Sequence, residues 1–123
     1  MRSLSFALAL LVTASALPQP SLAQDDTALG AAEFGADLAA EIETVRNLCS
    51  QVFFVNPRVA VEIQAEGFSM LSQVPEATAK TLLDQRIRTY MDAVSATDPE
   101  TWCKSTRKRM QDIGGPFAAL YAE

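Results

Sequence analysis

Residues 36–52 read ADLAAEIETVRNLCSQV, and the spacing of apolar side chains in this run decides the fold. Leu38, Ile42, Val45, Cys49 and Val52 recur at steps of four, three, four and three, which lines one face of an α-helix. Upstream, Asp25, Asp26, Glu33 and Asp37 load the early part of that helix with negative charge, favourable to the positive end of its dipole. The helix is expected to start with Asp26 or Thr27 as N-cap and to run to about Phe54. Gly30 and Gly35 weaken its first turns by up to about 1 kcal/mol each relative to alanine. Ala32, Ala36 and Ala39 or Ala40 form a ridge of small residues where a second helix can approach closely.

Downstream, Asn56-Pro57 is a sharp boundary, with Asn56 capping a new helix and Pro57 setting its first position. Residues 51–66 allow two readings. Val59, Val61 and Ile63 alternate as in a strand, and Gln51 to Val55 could pair with them as a hairpin. A lone hairpin is marginal in water and no third strand is visible, so a short helix ending near Gly67 is favoured. Phe68 to Val74 then reads as a connection leading to Pro75. A long helix follows, with Leu83, Ile87, Tyr90 or Met91, and Val94 as its buried stripe and Lys80, Asp84, Arg88 and Asp92 on a charged face; it stops near Ala96. Thr97-Asp98-Pro99-Glu100 opens the last long helix, with either Thr97 or Asp98 as cap. Gly114-Gly115 ends it, and Phe117 to Tyr121 is a short apolar tail expected to fold back on the body.

The two cysteines and the N-terminus place the chain in a compartment. Arg2, the apolar stretch from Leu4 to Leu17, and Ser21-Leu22-Ala23 read as a cleavable secretory signal peptide over residues 1–23, with Pro18 and Pro20 expected to stop any helix. The apolar stretch is shorter than the roughly 20 residues a membrane span needs, so no stable span is expected after cleavage. Residues 24–123 then form a single helical domain in the periplasm or outside the cell. There an even cysteine count implies a disulfide between Cys49 and Cys103. It closes a loop of about 55 residues, worth roughly 4 kcal/mol on the chain-entropy account. The expected fold is all-α: a small bundle of three to four main helices stapled by that bond.

Composition removes much chemistry. The chain has no histidine, so the commonest general base and metal ligand is missing, and no zinc motif can be assembled. No cofactor or metal is expected, and the protein is read as not an enzyme. Carboxylates are the only acid–base groups left; Glu33, Asp37 and Glu41, spaced i, i+4, i+8, and the pair Glu62 and Glu66 have the grouping that can hold a hard cation or hydrolyse a glycoside, but both sets read as solvated faces. The formal net charge is −5, and loss of Arg2 with the leader takes it one unit further negative. A surface this acidic disfavours nucleic acid.

Two surfaces remain as candidates. Phe53, Phe54, Phe68 and Trp102, with Met70 and Leu71, form a candidate apolar binding patch or groove for a peptide or an acyl chain. Lys104, Arg107 and Lys108 share one helical face, a candidate basic surface that with Arg109 is either solvated, matched to the acidic first helix, or offered to an anionic partner. The function expected is a non-enzymatic binding or adaptor module with a protein or peptide partner, its oligomeric state left open. An exported helical domain with one disulfide also resembles, in plan only, the small periplasmic acid-stress chaperones. That resemblance implies loosening as carboxylates protonate in acid, and it transfers no residue.

Overall fold

The computed structural model describes residues 18–123. It is all-helical over those residues, with no strand among them. The elements are α1 (Pro18–Leu48), α2 (Pro57–Leu71), α3 (Glu76–Ala96), α4 (Pro99–Ile113) and α5 (Pro116–Ala119), with a 3-10 turn at Cys49–Gln51 closing α1. The expected leader falls mostly in residues 1–17, outside the described residues.

Helix ends follow local chemistry where caps are present. Asn56 accepts hydrogen bonds from the backbone N–H groups of Arg58 and Val59, and Pro57 opens α2. Asp98, rather than Thr97, caps α4: its Oδ1 accepts from the Thr101 N–H at 2.9 Å, with Pro99 in the first position. Gly114 and Gly115 both hold positive φ, 82° and 59°, a turn that residues with a Cβ adopt with strain. Two expected helices have their bounds corrected. α1 opens at Pro18, where the first-turn N–H groups have no intrahelical acceptor to lose, and the leader helix that Pro18 and Pro20 are expected to stop falls in residues 1–17, outside the described residues. α1 therefore starts before Asp26, and its regular turns end at Leu48, not Phe54. α2 runs through Gly67 to Leu71, so Phe68 to Leu71 is helix rather than connection.

The reason for that last correction is a close helix crossing. A Cβ built on Gly67 would lie 2.8 Å from the Gly35 carbonyl oxygen and 3.0 Å from the Ala39 nitrogen. One built on Gly35 would lie 2.5 Å from the Gly67 oxygen and 2.7 Å from Met70 Cβ. Both glycines are used to let backbone touch backbone. Ala32, Ala36, Ala39 and Ala40 are fully buried around the crossing, as the ridge of small residues predicts.

The expected stripe of α1 forms the core. Leu38, Ile42, Val45 and Cys49 are buried, Val52 packs at their edge, and Ala60 and Ile63 of α2, Cys103 and Met110 of α4, and Leu120 beyond α5 complete the cluster. Each large apolar side chain buried there contributes about 1.5–3 kcal/mol. Cys49 and Cys103 are disulfide-bonded, with Cα atoms 5.4 Å apart, which joins the end of α1 to α4. The tail folds back as expected, its Leu120 carbonyl accepting from the Asn56 N–H at 2.7 Å. α3 departs from expectation: only Val94 is buried, while Leu83, Ile87 and Tyr90 are half-buried and Met91 is exposed.

Candidate functional site: an apolar groove between two helices

That half-buried stripe of α3 is the consequence of how the α2–α3 hairpin sits. Both helices pack mainly on α1 rather than on each other. The small residues of α1 let α2 settle closely on it, and residues 72–75 link α2 to α3. Between them lies an open groove of about 640 Å³, with an apolar lining of Phe68, Leu71, Val74, Ala79 and Leu83. Ser72, Glu76, Lys80 and Asp84 supply its polar lining. Phe68 and Leu83 are shared with a smaller recess of about 270 Å³ over Ala39, bounded also by Ile87, Glu43 and Gln64. Phe68 is 46% exposed, a large apolar side chain at the junction of both spaces.

The polar groups beside the recess are tightly held. Gln64, buried between α1 and α2, donates to Glu43 Oε2 at 2.7 Å and accepts from Arg46 at 2.7 Å. The Gln64 hydrogen bond, helped by Asn47 and Arg46 against the effect of burial, holds the Glu43 carboxyl below its ordinary value of 4.5. On the other side of the groove, Lys80 pairs with Asp84 at 3.3 Å, the i,i+4 contact read from the sequence.

The four aromatic residues expected to form one patch are distributed. Phe68 lines the groove. Phe54 is 43% exposed but precedes α2, whose first residue, Pro57, already lies about 16 Å along the helix axis from Phe68 at 1.5 Å per residue. Phe53 is half-buried, edge-on to Tyr121 with ring centres 5.5 Å apart and with the Arg107 guanidinium 4.2 Å above its own ring centre. Trp102 is half-buried and edge-on to Tyr90 at 6.2 Å. Phe53 and Trp102 therefore finish the packing of the tail and of α3 against α4.

Basic side chains of α4 are likewise committed. Lys104 pairs with Glu100 at 2.9 Å and Lys108 with Asp112 at 3.2 Å, while Arg107 stacks on Phe53. Arg109 reaches across to Glu41, the match to the acidic first helix. This corrects the reading of Glu33, Asp37 and Glu41 as a solvated face. Arg86 of α3 lies 3.8 Å from both Glu33 and Asp37, and the Tyr90 hydroxyl donates to Asp37 at 2.9 Å. Burial raises the Glu41 carboxyl above its ordinary 4.5, with Asp37 adding to the rise and Arg109 opposing it. The carboxylate ladder is thus the seam that joins α1 to α3 and α4. No cluster among the described residues has the make-up of a metal site. No described helix is long and apolar enough to cross a membrane.

Sequence reasoning found Phe68 and Leu71 as groove residues but missed Leu83, Ala79 and Glu43. The signal for Leu83 and Ala79, an apolar stripe on α3 broader than its partner could cover, becomes visible only once α2 and α3 are seen to share α1, and Glu43 of α1 carries no local signal. Compared with protein-family models, curated proteins and solved structures, the chain has no significant match.

Proposed function

We propose that the protein is an exported, non-enzymatic binding module that holds an apolar segment of a protein or peptide in the groove between α2 and α3. The observation that carries this reading is Phe68, nearly half exposed at the junction of two apolar recesses. Export rests on the leader read in residues 1–23 and is supported by the disulfide, since such bonds persist in oxidising compartments. Titration with an environment-sensitive naphthylamine dye tests the groove. Phe68→Ser should weaken dye binding by about fivefold or more, in line with about 1 kcal/mol or more for an aromatic removed from an apolar site. Phe54→Ser, at the far end of α2, should leave it unchanged. Equal loss in both variants would remove the groove from consideration. Intact mass of the exported product should correspond to a chain beginning at Gln24.

An acid-activated chaperone is the second reading, and the lowered carboxyls of Glu43 and Asp98 favour it. Glu43 is lowered chiefly by Gln64, and Asp98 by the Thr101 backbone N–H. Groups of this kind contribute stability above the ordinary carboxylate range and lose it as pH falls through their depressed values. Protonating Glu43 also weakens its hold on Gln64, at the wall of the recess. Transfer to acid should then suppress aggregation of an unfolded client; absence of protection in acid excludes this reading.

A further inference from the structure

We infer that the occupant of the groove is a basic amphipathic helix of a partner protein, its apolar stripe on Phe68, Leu71 and Leu83 and its lysine or arginine side chains against Glu43, Glu76 and Asp84. This rests on the groove being a binding site and adds the chemistry of what fills it. Three carboxylates and a single ammonium line the two recesses, and that ammonium, Lys80, and the Asp84 carboxylate pair with each other. Arg46, the guanidinium bonded to Gln64 of the recess, is held there at 2.7 Å. Glu76 makes no ion pair among the described residues. The Glu43 carboxyl is depressed by Gln64, so it remains charged at neutral pH. Three carboxylates against the two cations Lys80 and Arg46 leave this lining one charge negative, in keeping with the net charge of −5 over the chain. A ligand with an anionic head, such as a fatty acid or a phospholipid, would bring like charge to this rim.

Shape selects a helix over an extended strand. Both walls are helices whose backbone groups bond internally, so no sheet edge is offered for a strand to pair with. The α3 wall from Glu76 to Ile87 spans about 16 Å, or three helical turns, which suits anchors at i, i+3, i+4 and i+7. Apolar anchors would displace water from Phe68 and Leu83, while flanking cations meet the rim.

Three fluorescein-labelled helical peptides with the same leucine stripe and lysine, glutamine or glutamate elsewhere provide the test, read by anisotropy with the full exported protein. The lysine peptide should bind roughly tenfold tighter than the glutamate peptide at low salt, and the gap should narrow at high salt as the rim charges are screened. Phe68→Ser should weaken the lysine and glutamine peptides alike. Glu76→Lys combined with Asp84→Asn changes only exposed or half-exposed side chains, and with wild-type circular dichroism it should abolish the lysine preference. Equal binding of the lysine and glutamine peptides, or a preference that survives the double variant, overturns the inference while leaving the groove as a binding site. Failure of all three peptides to bind overturns the groove reading itself. Sedimentation that reveals a dimer dissolved by Phe68→Ser would make a second copy the occupant and overturn the inference as well.

Discussion

At the residue scale, Glu41 is the group whose setting departs most from what its sequence position suggests. It is buried on α1, accepts a hydrogen bond from Arg109 of α4, and has its carboxyl raised mainly by burial. A carboxyl raised in the folded state binds its proton more tightly there than in the unfolded chain. Its contribution to stability is therefore most favourable in acid and declines as pH rises from the ordinary 4.5 through the raised value. Glu41→Gln retains an acceptor for Arg109 and abolishes the titration. Its melting temperature should match or exceed the wild type at neutral pH, and its stability should change less with pH across that window. A variant less stable than wild type at neutral pH, with an unchanged pH profile, would show that the Arg109 attraction outweighs burial. The sequence offered a match between the basic face of α4 and the acidic first helix, but not the particular partners, which are 68 residues apart with no local mark of one another.

At the element scale, the crossing of α1 and α2 sets the geometry. Gly67→Ala improves intrinsic helix propensity by about 1 kcal/mol. The added methyl would nevertheless meet the Gly35 oxygen at 2.8 Å, and the opposing atoms are backbone with little room to yield. Overpacking of this kind costs about 1–3 kcal/mol, so a net loss of stability is expected in urea unfolding. Gly30→Ala, with nothing within 4 Å of the new methyl, should be neutral or stabilising by up to about 1 kcal/mol. The contrast between these two glycines states how far the elements were legible. Asn56-Pro57, Asp98-Pro99 and Gly114-Gly115 were readable because each boundary is written within four residues. Gly67 read as a stop because its role is defined by a helix 32 residues earlier, opposite which only a hydrogen fits. The groove was half legible for the same reason: Phe68 stands out as apolar, but the wall facing it comes from α3 through a shared contact with α1.

At the scale of the whole molecule, the disulfide joins the end of α1 to α4, while the groove lies toward the other end of the α2–α3 hairpin. Reduction should lower stability by about 4 kcal/mol on the loop-entropy account. For a domain of this size that is a fall in melting temperature of roughly 15–30 °C, measurable by circular dichroism with and without reductant. An unchanged melting curve would mean that packing of Met110 and Leu120 alone holds α4 in place. The glycine crossing has a further consequence for the molecule. Sliding α2 along α1 by one turn in either direction would drive Ile63 or Leu71 into the space that admits only the hydrogen of Gly67. The two rods are keyed like a notch and its tooth, so the axial position of α2 is quantised to one setting, and the depth at which Phe68 stands is inherited from a pair of missing methyl groups.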